Sequence, residues 1–543
     1  MNKTGIFMCV CPSSAYAFDI EKDTEGINLP NAAVYPHRYL CSQRGLKFLC
    51  DCVQKDKLDR ILIVTCTEYI HRNVFNKLPS LMKTGIEYID VGKVKDKEGL
   101  VDILKERLKE EARQLPQEER MIKEVLIVGG GVGGVQTAID VAEEGYKVYI
   151  VENSLSVGGV MAQLDKTFPT MDCSICILGP KLVDVSKHPN IELITNAHIK
   201  DITGEAGDFN VEVEIRPRYV DMDKCNGCSA CVEVCPILLP NEWDLNLKPR
   251  KCIYVMFAQS VPLRYTIDKE KCIECELCKK VCELDAINLN EKPKALTLNV
   301  GAIVVATGTK TFDASRKGQY GYGRIKNVVT NMEFERIICA SGPTSGELLR
   351  SDGKRIKKVA FIQCVGSRDI HFHEYCSVYC CLASIKEGRL VMEHEPDAEV
   401  WIFYNDLRAF GKGFEELYVR SEKEGIKFIK GLPGEITENA ETGDPLVAFE
   451  DTKTGKVSEL EFDMVVLAVA LEPSKETARL AKMLGLETDP HGFLKELHPT
   501  SRPLETSKKG VFLAGTCQGP KDIPETVSQA SGVAAKVCTL FSN

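Results

Sequence analysis

No stretch of the 543 residues approaches the roughly 18 to 20 uncharged apolar positions that a membrane-crossing helix needs, so no membrane span is expected. Met1–Phe18 lacks both a basic n-region and an uninterrupted apolar core before a cleavage site, which removes a secretory signal and points to a cytoplasmic chain. Positive charge is also in short supply: 69 Lys and Arg face 78 Asp and Glu, for a net charge of −9. Affinity for nucleic acid comes largely from cations on phosphates, so nucleic acid is not the expected partner. A composition 44% apolar and 27% charged excludes disorder, coiled coil and collagen. What the chain has in excess is cysteine, 24 of them. In a small secreted protein they would mean disulfides; in a large chain without an export signal they favour metal ligation.

At roughly 100–200 residues per domain the length suggests three or four domains. The first 120 residues carry two strand-like runs, Gly5-Ile6-Phe7-Met8-Cys9-Val10-Cys11 and Arg60-Ile61-Leu62-Ile63-Val64-Thr65-Cys66. Leu100, Ile103, Leu104 and Leu108 then fall at helical spacing, before a charged linker containing Pro116. A new domain starts at Met121.

Val125-Leu126-Ile127-Val128 reads as a short strand, and Gly129-Gly130-Gly131-Val132-Gly133-Gly134 supplies G-x-G-x-x-G before a helical segment. The first glycine permits the tight turn, the second lets backbone approach a pyrophosphate, and the third lets helix pack on strand. The diphosphate then meets a helix N-terminus, whose free N–H groups and dipole favour an anion. The motif alone is weak evidence. A second strand, Lys147–Val151, ends in Glu152, at the distance expected of an acid that binds ribose hydroxyls.

Ala302-Ile303-Val304-Val305-Ala306-Thr307-Gly308 and Gly510-Val511-Phe512-Leu513-Ala514-Gly515 resemble the returning strands of two-dinucleotide-domain flavoproteins of the thioredoxin reductase type, which implies FAD. Thr516 stands where those proteins usually carry an acid, so the ribityl contact departs from the pattern. The second nucleotide domain should have its own glycine triad, yet Lys358-Val359-Ala360-Phe361-Ile362 leads into Gln363-Cys364-Val365-Gly366-Ser367-Arg368. Direct oxidation of NAD(P)H is therefore not expected.

Cys225-x-x-Cys228-x-x-Cys231-x-x-x-Cys235-Pro236 and Cys272-x-x-Cys275-x-x-Cys278-x-x-x-Cys282 form a paired bacterial-ferredoxin pattern. Three cysteines of each run hold one cubane and the fourth crosses to the other. One cluster takes Cys225, Cys228, Cys231 and Cys282; the other takes Cys272, Cys275, Cys278 and Cys235. Cys364, Cys376, Cys380 and Cys381 make a tighter set, for which S4 ligation of an iron–sulfur centre competes with a redox disulfide or buried thiols. Adjacent cysteines cannot both face one side of a regular element, so irregular backbone is expected there. Cys9, Cys11, Cys41 and Cys66 give a dispersed fourth set, open to zinc as well and to competition from Cys50 and Cys52. Cys173 and Cys176 fit a flavin-facing dithiol, an extra ligand pair or buried thiols. Cys252, Cys339, Cys517 and Cys538 read as core.

Taken together, Cys9-Val10-Cys11, the run Gly158-Gly159-Val160-Met161-Ala162-Gln163-Leu164-Asp165-Lys166-Thr167-Phe168-Pro169-Thr170-Met171-Asp172-Cys173-Ser174, the ferredoxin runs, the Cys364–Cys381 set and Gly515-Thr516-Cys517-Gln518-Gly519-Pro520-Lys521-Asp522-Ile523 look like the flavin-bearing A subunits of the heterodisulfide reductases of methanogens and other anaerobes. The resemblance implies an α/β fold: a thioredoxin-reductase-like two-dinucleotide-domain flavoprotein with an inserted two-cluster ferredoxin domain and an N-terminal α/β iron–sulfur domain. The expected segments are 1–120 (N-terminal iron–sulfur), 121–218, 293–325 and 471–543 (FAD domain), 219–292 (ferredoxin insertion) and 326–470 (second nucleotide-type domain with a cluster).

It further implies FAD and four [4Fe–4S] clusters, the cofactor residues being Gly129, Gly131, Gly133, Gly134, Glu152, Gly158, Gly159, Gln163, Ala306, Thr307, Gly308, Gly515, Thr516, Asp522 and Ile523. Lys386 matches a lysine that family members place near the flavin N5, where a cation favours anionic reduced flavin. A solvated helix lysine is the plain alternative. The expected activity is flavin-based electron bifurcation or confurcation between a hydrogenase or formate dehydrogenase side, ferredoxin and a disulfide-type acceptor. A non-bifurcating relay in an anaerobic complex, such as one of aromatic-ring or sulfur metabolism, is the rival. Expected partners are heterodisulfide-reductase-like B and C subunits, a hydrogenase or formate dehydrogenase linker subunit, ferredoxin and a second copy of the chain. Full-length family members continue into a C-terminal ferredoxin module that is not part of this sequence.

Overall fold

The apolar run Val125–Val128 is buried on both faces, as the central strand of a parallel sheet must be. In the computed structural model, which describes residues 3–9, 27, 29, 32–65, 85–90, 94, 96–109 and 121–542, it is the third of five parallel strands. Their order is Val511–Leu513, Ala302–Val305, Glu124–Val128, Lys147–Val151 and Ile191–Ile194. The Val132–Glu143 helix and the C-terminal Ile523–Ser542 helix pack together, the Thr137 hydroxyl donating to Gly133 O at 2.9 Å and reaching Ala530 O at 3.3 Å. A second parallel sheet runs Val328–Thr330, Met464–Val469, Lys358–Val365, Glu399–Tyr404 and Lys427–Lys430. Each sheet carries an antiparallel three-stranded companion.

Residues 1–120 and 121–542 separate into two units. The first holds a parallel sheet in the order Ala32–His37, Thr4–Cys9, Arg60–Thr65, Gly85–Asp90. Ser42 caps the Gln43–Asp56 helix, its hydroxyl accepting from Gly45 N at 3.1 Å. The helix expected from the leucine spacing is Lys97–Lys109, with Leu100 and Leu104 buried among Ile6, Met8, Leu62 and Val64. Cys11, Cys66 and Pro116 lie outside the described residues.

The cysteine-rich insertion leaves the chain between the paired strands Asp208–Ile215 and Lys294–Val300 and is built from two short hairpins and the one-turn helices Ala230–Glu233 and Leu277–Val281. The two cysteine runs repeat in backbone as well as in sequence. Gly227 and Ser229 adopt left-handed φ of 77° and 68°, and Glu274 and Glu276, at the same offsets from Cys272, adopt 54° and 57°. Non-glycine residues tolerate that region only where the surroundings impose it. The insertion is fastened to the sheets by Arg336, 1% exposed, whose Nε donates to Asp244 at 3.0 Å and whose other nitrogen reaches the Gln163 carbonyl at 2.9 Å.

One backbone expectation is corrected. Cys380 and Cys381 are the first residues of a regular helix, Cys380–His394, and the irregularity precedes it, at Cys364, Arg368 and Val378 with φ of 59°, 54° and 65°. At a helix start both side chains reach the same end even though they diverge around the axis, which is why adjacency does not require broken backbone.

Arg336→Ala leaves Asp244 charged in the interior without a counter-ion, held only by the Asn241 amide. It should cost about 3–5 kcal/mol, read as a lowered chemical-denaturation midpoint of the full chain.

Candidate functional site

Gly131 is the N-cap of the Val132–Glu143 helix in extended backbone, and a Cβ built on it meets nothing within 4 Å. The space in front of it is a cavity of about 500 Å3. The glycine turn contributes Gly129, Gly131 and Gly133; Glu152, Gly159 and Gln163 follow from the next two segments. Ala306, Thr307 and Gly308 come from the return strand, and Gly515, Thr516, Asp522 and Ile523 from the last strand and helix. A second cavity of about 800 Å3, lined by Asn153, Asn196 and Arg216 among others, shares Gly159, Val160 and Gln163 with it. An elongated dinucleotide lying across the glycine turn therefore has room on both sides. Glu152 accepts from Gly130 N at 2.6 Å and Ser154 N at 2.7 Å, which holds its carboxylate at the strand end.

Two of the fifteen expected cofactor residues do not line the space. A Cβ on Gly134 would lie 2.0 Å from Gly129 O, so its absence lets the helix close on the strand. Gly158, at φ 127°, turns the chain. Where an acid was missing, Thr516 meets the Thr309 hydroxyl at 3.3 Å, and Asp522, six residues on, puts a carboxyl on the same cavity. Its neighbour Lys521, part of the same Gly515–Ile523 run but not singled out as a cofactor residue, also lines the cavity, and burial pulls its pKa down.

At the far end stand two helices. Thr330 and Glu333 form a reciprocal capping box that starts Asn331–Ile338, and that helix presents Asn331, Met332 and Glu335 to the cavity. Cys380–His394 presents Ala383, Lys386 and Glu387, at the i, i+3, i+4 spacing of one face. Lys386 is 2% exposed and its ammonium donates to the Glu335 carboxylate, so it is no solvated surface lysine. Glu335 also accepts from Asp165 N at 3.1 Å. Burial first, then Glu335, pushes the Glu387 carboxyl well above the usual range, and the same two causes raise Asp165. No sequence signal marks Glu335 or Glu387, because the groups that give them meaning come from 50 residues away or more along other segments.

Cys235 of the first ferredoxin run shares one small cavity with Cys272, Cys275 and Cys278 of the second. In the other group Cys231 lies near Cys225 and Cys228, and burial pushes its thiol up to about 12. Bound iron displaces such protons outright. Cys252, read as core, also lines the first cavity, its thiol donating to Asp268 O at 3.2 Å. Cys364, Cys376, Cys380 and Cys381 influence one another electrostatically. Around them the buried Ser384 Oγ has no protein partner, and the Arg368 guanidinium and the Ser367 hydroxyl are directed at the Cys364 sulfur. Buried donors beside four soft thiolates suit a sulfide-bearing cluster. Among the described residues no group of three or more His, Cys, Asp or Glu converges on a single-ion position; a cubane instead holds its terminal sulfurs apart around a cage.

In the first unit Cys9 ends its strand and Cys41 follows the neighbouring one, both at the carboxyl edge of the sheet; Cys9 belongs to the apolar cluster against which Cys41 and Cys52 pack. Cys173 and Cys176 are joined in a disulfide at the start of the Ser174–Lys187 helix and do not line the flavin-sized cavity.

The pyridine nucleotide-disulphide oxidoreductase family model matches residues 404–534, the FAD dependent oxidoreductase model 124–171, and the 4Fe-4S binding domain model 218–237 and 265–288. The iron-sulfur A subunit of the CoB–CoM heterodisulfide reductase of Methanocaldococcus jannaschii is 44% identical, over 98% of this chain and 85% of that relative. The A subunit of the H(2):CoB-CoM heterodisulfide,ferredoxin reductase of Methanothermobacter thermautotrophicus is 44% identical, over 98% and 84%. The A subunit of the ferredoxin/F(420)H(2)-dependent CoB-CoM heterodisulfide reductase of Methanosarcina acetivorans is 38% identical, over 93% and 66%. Among solved structures, thioredoxin reductase of T. acidophilum aligns at a TM-score of 0.44 and 15% identity, over 78% of this chain and 100% of that one. No helix among the described residues is long and apolar enough to cross a membrane.

The glycines separate binding from folding. Gly131→Ala should leave stability unchanged or raised by up to about 1 kcal/mol, yet the purified chain should lose its yellow FAD. Gly134→Ala should cost about 1–3 kcal/mol through overpacking whether or not FAD is present. Denaturation midpoints and flavin content measured on the same preparations check both.

Proposed function

The chain belongs to the A-subunit family of the heterodisulfide reductases, and from that premise we propose that it performs flavin-based electron bifurcation or confurcation in a heterodisulfide-reductase-like complex. It is an oxidoreductase component that carries FAD and iron–sulfur clusters. The proposed complex links a hydrogenase or formate dehydrogenase side, ferredoxin and a disulfide-type acceptor, through B and C subunits and a second copy of this chain. The names of relatives that couple H(2) or formate to both heterodisulfide and ferredoxin support this.

The observation that carries the reading is the joint placement of Lys386 and the Cys364–Cys381 thiols. Cys381 and Lys386 share a helix, about 7.5 Å apart along its axis, and Lys386 opens onto the cavity behind the glycine turn. FAD, when bound, supplies chemistry that accepts an electron pair and releases it singly. The protein's part is placement. Gly131 and the helix N-terminus hold the pyrophosphate, and Glu152 holds a ribose. Lys386 would set its ammonium beside the ring N5. Cys225, Cys228, Cys231 and Cys282 hold one cubane, Cys272, Cys275, Cys278 and Cys235 the next, Cys364, Cys376, Cys380 and Cys381 a third, and Cys9, Cys11, Cys41 and Cys66 a fourth. The ferredoxin insertion, 219–292, then acts as a wire from the flavin toward a partner.

The relay reading has its own support in the relatives named for ferredoxin as sole or alternative donor, at 37–38% identity. The relatives named for coupled heterodisulfide and ferredoxin reduction are more similar, at 43–44%, which favours bifurcation. Co-purification under anoxia, followed by an assay for simultaneous ferredoxin and heterodisulfide reduction, decides: two acceptors reduced in fixed ratio support bifurcation, and one acceptor alone leaves the relay. Anoxic preparations should contain about 16 iron and 16 sulfide per chain, four of each per cubane; about 12 would remove the N-terminal set.

Lys386→Ala tests the flavin end. A unit-charge pair near 4 Å is worth about 1–4 kcal/mol at effective dielectrics of 80 to 20. At about 0.7 kcal/mol per 30 mV for one electron, a one-electron flavin couple should fall by roughly 40–170 mV. Spectroelectrochemistry should show this shift with FAD and iron content retained and coupled reduction lost.

A further inference from the structure

Glu387 is the one side chain at the flavin end that the proposed electron chemistry leaves without a task. It is fully buried, it lines the cavity, and no donor reaches either carboxyl oxygen, the group it meets being the Glu335 carboxylate. The groups that face it are the Glu335 carboxylate from Asn331–Ile338, the Lys386 ammonium from its own helix and the Tyr379 side chain at that helix's cap. Lys386 is already committed to Glu335. An ionised Glu387 would be a second carboxylate against one cation, in a place closed to bulk solvent, and the tenable state is the neutral acid.

We propose that Glu387 is the proton donor for flavin reduction, passing its proton through the Lys386 ammonium to the ring nitrogen beside it. This rests on the FAD reading of the cavity and deepens it. Two electrons enter the ring from the dehydrogenase or hydrogenase side. As the ring N–H bond would form, the Lys386 Nζ–H bond breaks, and Nζ regains a proton by way of the Glu335 carboxylate, which passes on the one it takes from the Glu387 carboxyl. Glu387 is then refilled from solvent, so that the sum is FAD plus two electrons and one proton giving anionic reduced FAD. The same steps reversed release the proton on oxidation. Refilling is assigned to Asp165. Asp165 is half-buried at the edge, its backbone N–H bonds Glu335, and its carboxyl is itself biased toward the protonated form by burial and by Glu335.

Glu387→Gln preserves shape and removes the transferable proton. Since the folded chain holds a proton on Glu387 that the unfolded chain releases near the ordinary carboxylate pKa, the stability this group contributes is complete below that pH and declines as pH rises through the folded value. Glutamine escapes that decline, so the variant folds at neutral pH.

The test uses the FAD-loaded chain under anoxia. Redox-difference infrared spectra of the wild type should show a protonated carboxyl C=O band that is displaced on flavin reduction, moves in D2O and is absent in E387Q. Stopped-flow bleaching by dithionite, a two-electron donor, should slow at least tenfold in E387Q, with a larger solvent isotope effect, and recover in part in Glu387→Asp. A wild type with no such band, a band that persists in E387Q, or bleaching of E387Q at the wild-type rate and isotope effect overturns the proposal. If instead the wild-type chain takes up no FAD, it is the reading of the cavity that fails.

Discussion

A lysine ammonium and a glutamate carboxylate meet at the end of the cavity, both within 2% of complete burial, and much of the surrounding architecture follows from that contact. Neither charge is tolerable there alone, because stripping water from an isolated ion costs several kcal/mol even after the protein relaxes. The pair therefore ties together two helices that come from different parts of the second nucleotide-type domain. Glu335 is placed by a helix whose start is fixed by the Thr330–Glu333 capping box, and Lys386 by a helix that opens at Cys380. Asp165, from the FAD-domain segment that follows Gly159, closes the group by donating its backbone N–H to Glu335. Three stretches of chain are thus held by one desolvated contact.

The next residue along extends the same logic to the insertion. Arg336 follows Glu335 and points the other way, into Asp244 and the Gln163 carbonyl. Gln163 in turn lines the cavity, and its side chain donates to Trp243 O at 2.9 Å, beside Asp244. A short helix therefore sets the flavin end with one residue and the ferredoxin insertion with the next. Electron transfer between centres depends on their separation staying fixed, and two buried ion pairs on adjacent residues leave little freedom for it to vary.

What the sequence made legible was whatever repeats at a fixed spacing. The glycine turn, the two ferredoxin runs and the leucine-lined Lys97–Lys109 helix all rest on local periodicity, and the strands and helices lie where those patterns put them. The left-handed residues at matching offsets in both cysteine runs were visible only as Gly227 in one of them; Glu274 carries no such mark. Glu335, Glu387 and Asp244 were invisible, since an acid on a helix is ordinary until tertiary structure removes its water. The expectation of broken backbone at Cys380 and Cys381 failed for a related reason. It considered how side chains diverge around a helix, and not that the first turn of a helix is an end, where divergent side chains still reach a common group.

That helix end also accounts for how a nucleotide-binding topology came to hold thiols. In the first domain the strand–turn–helix unit offers Gly131 and free backbone N–H groups to a pyrophosphate. The corresponding unit of the second domain, Lys358–Val365 followed by Cys380–His394, has the same parallel-strand context but a longer, left-handed-kinked turn in place of the glycines. The physics at the helix N-terminus is unchanged: a positive dipole end and unsatisfied N–H groups favour negative charge. Four thiolates around an iron–sulfur core are an anionic group, as a pyrophosphate is. Cysteines in place of the glycine triad keep that electrostatic preference, so the proposed iron–sulfur centre would take the place at the helix start that a nucleotide phosphate takes in the first sheet's unit. The same helix carries Lys386, so the proposed cluster at its start and the cavity further along it would be positioned by a single rigid element.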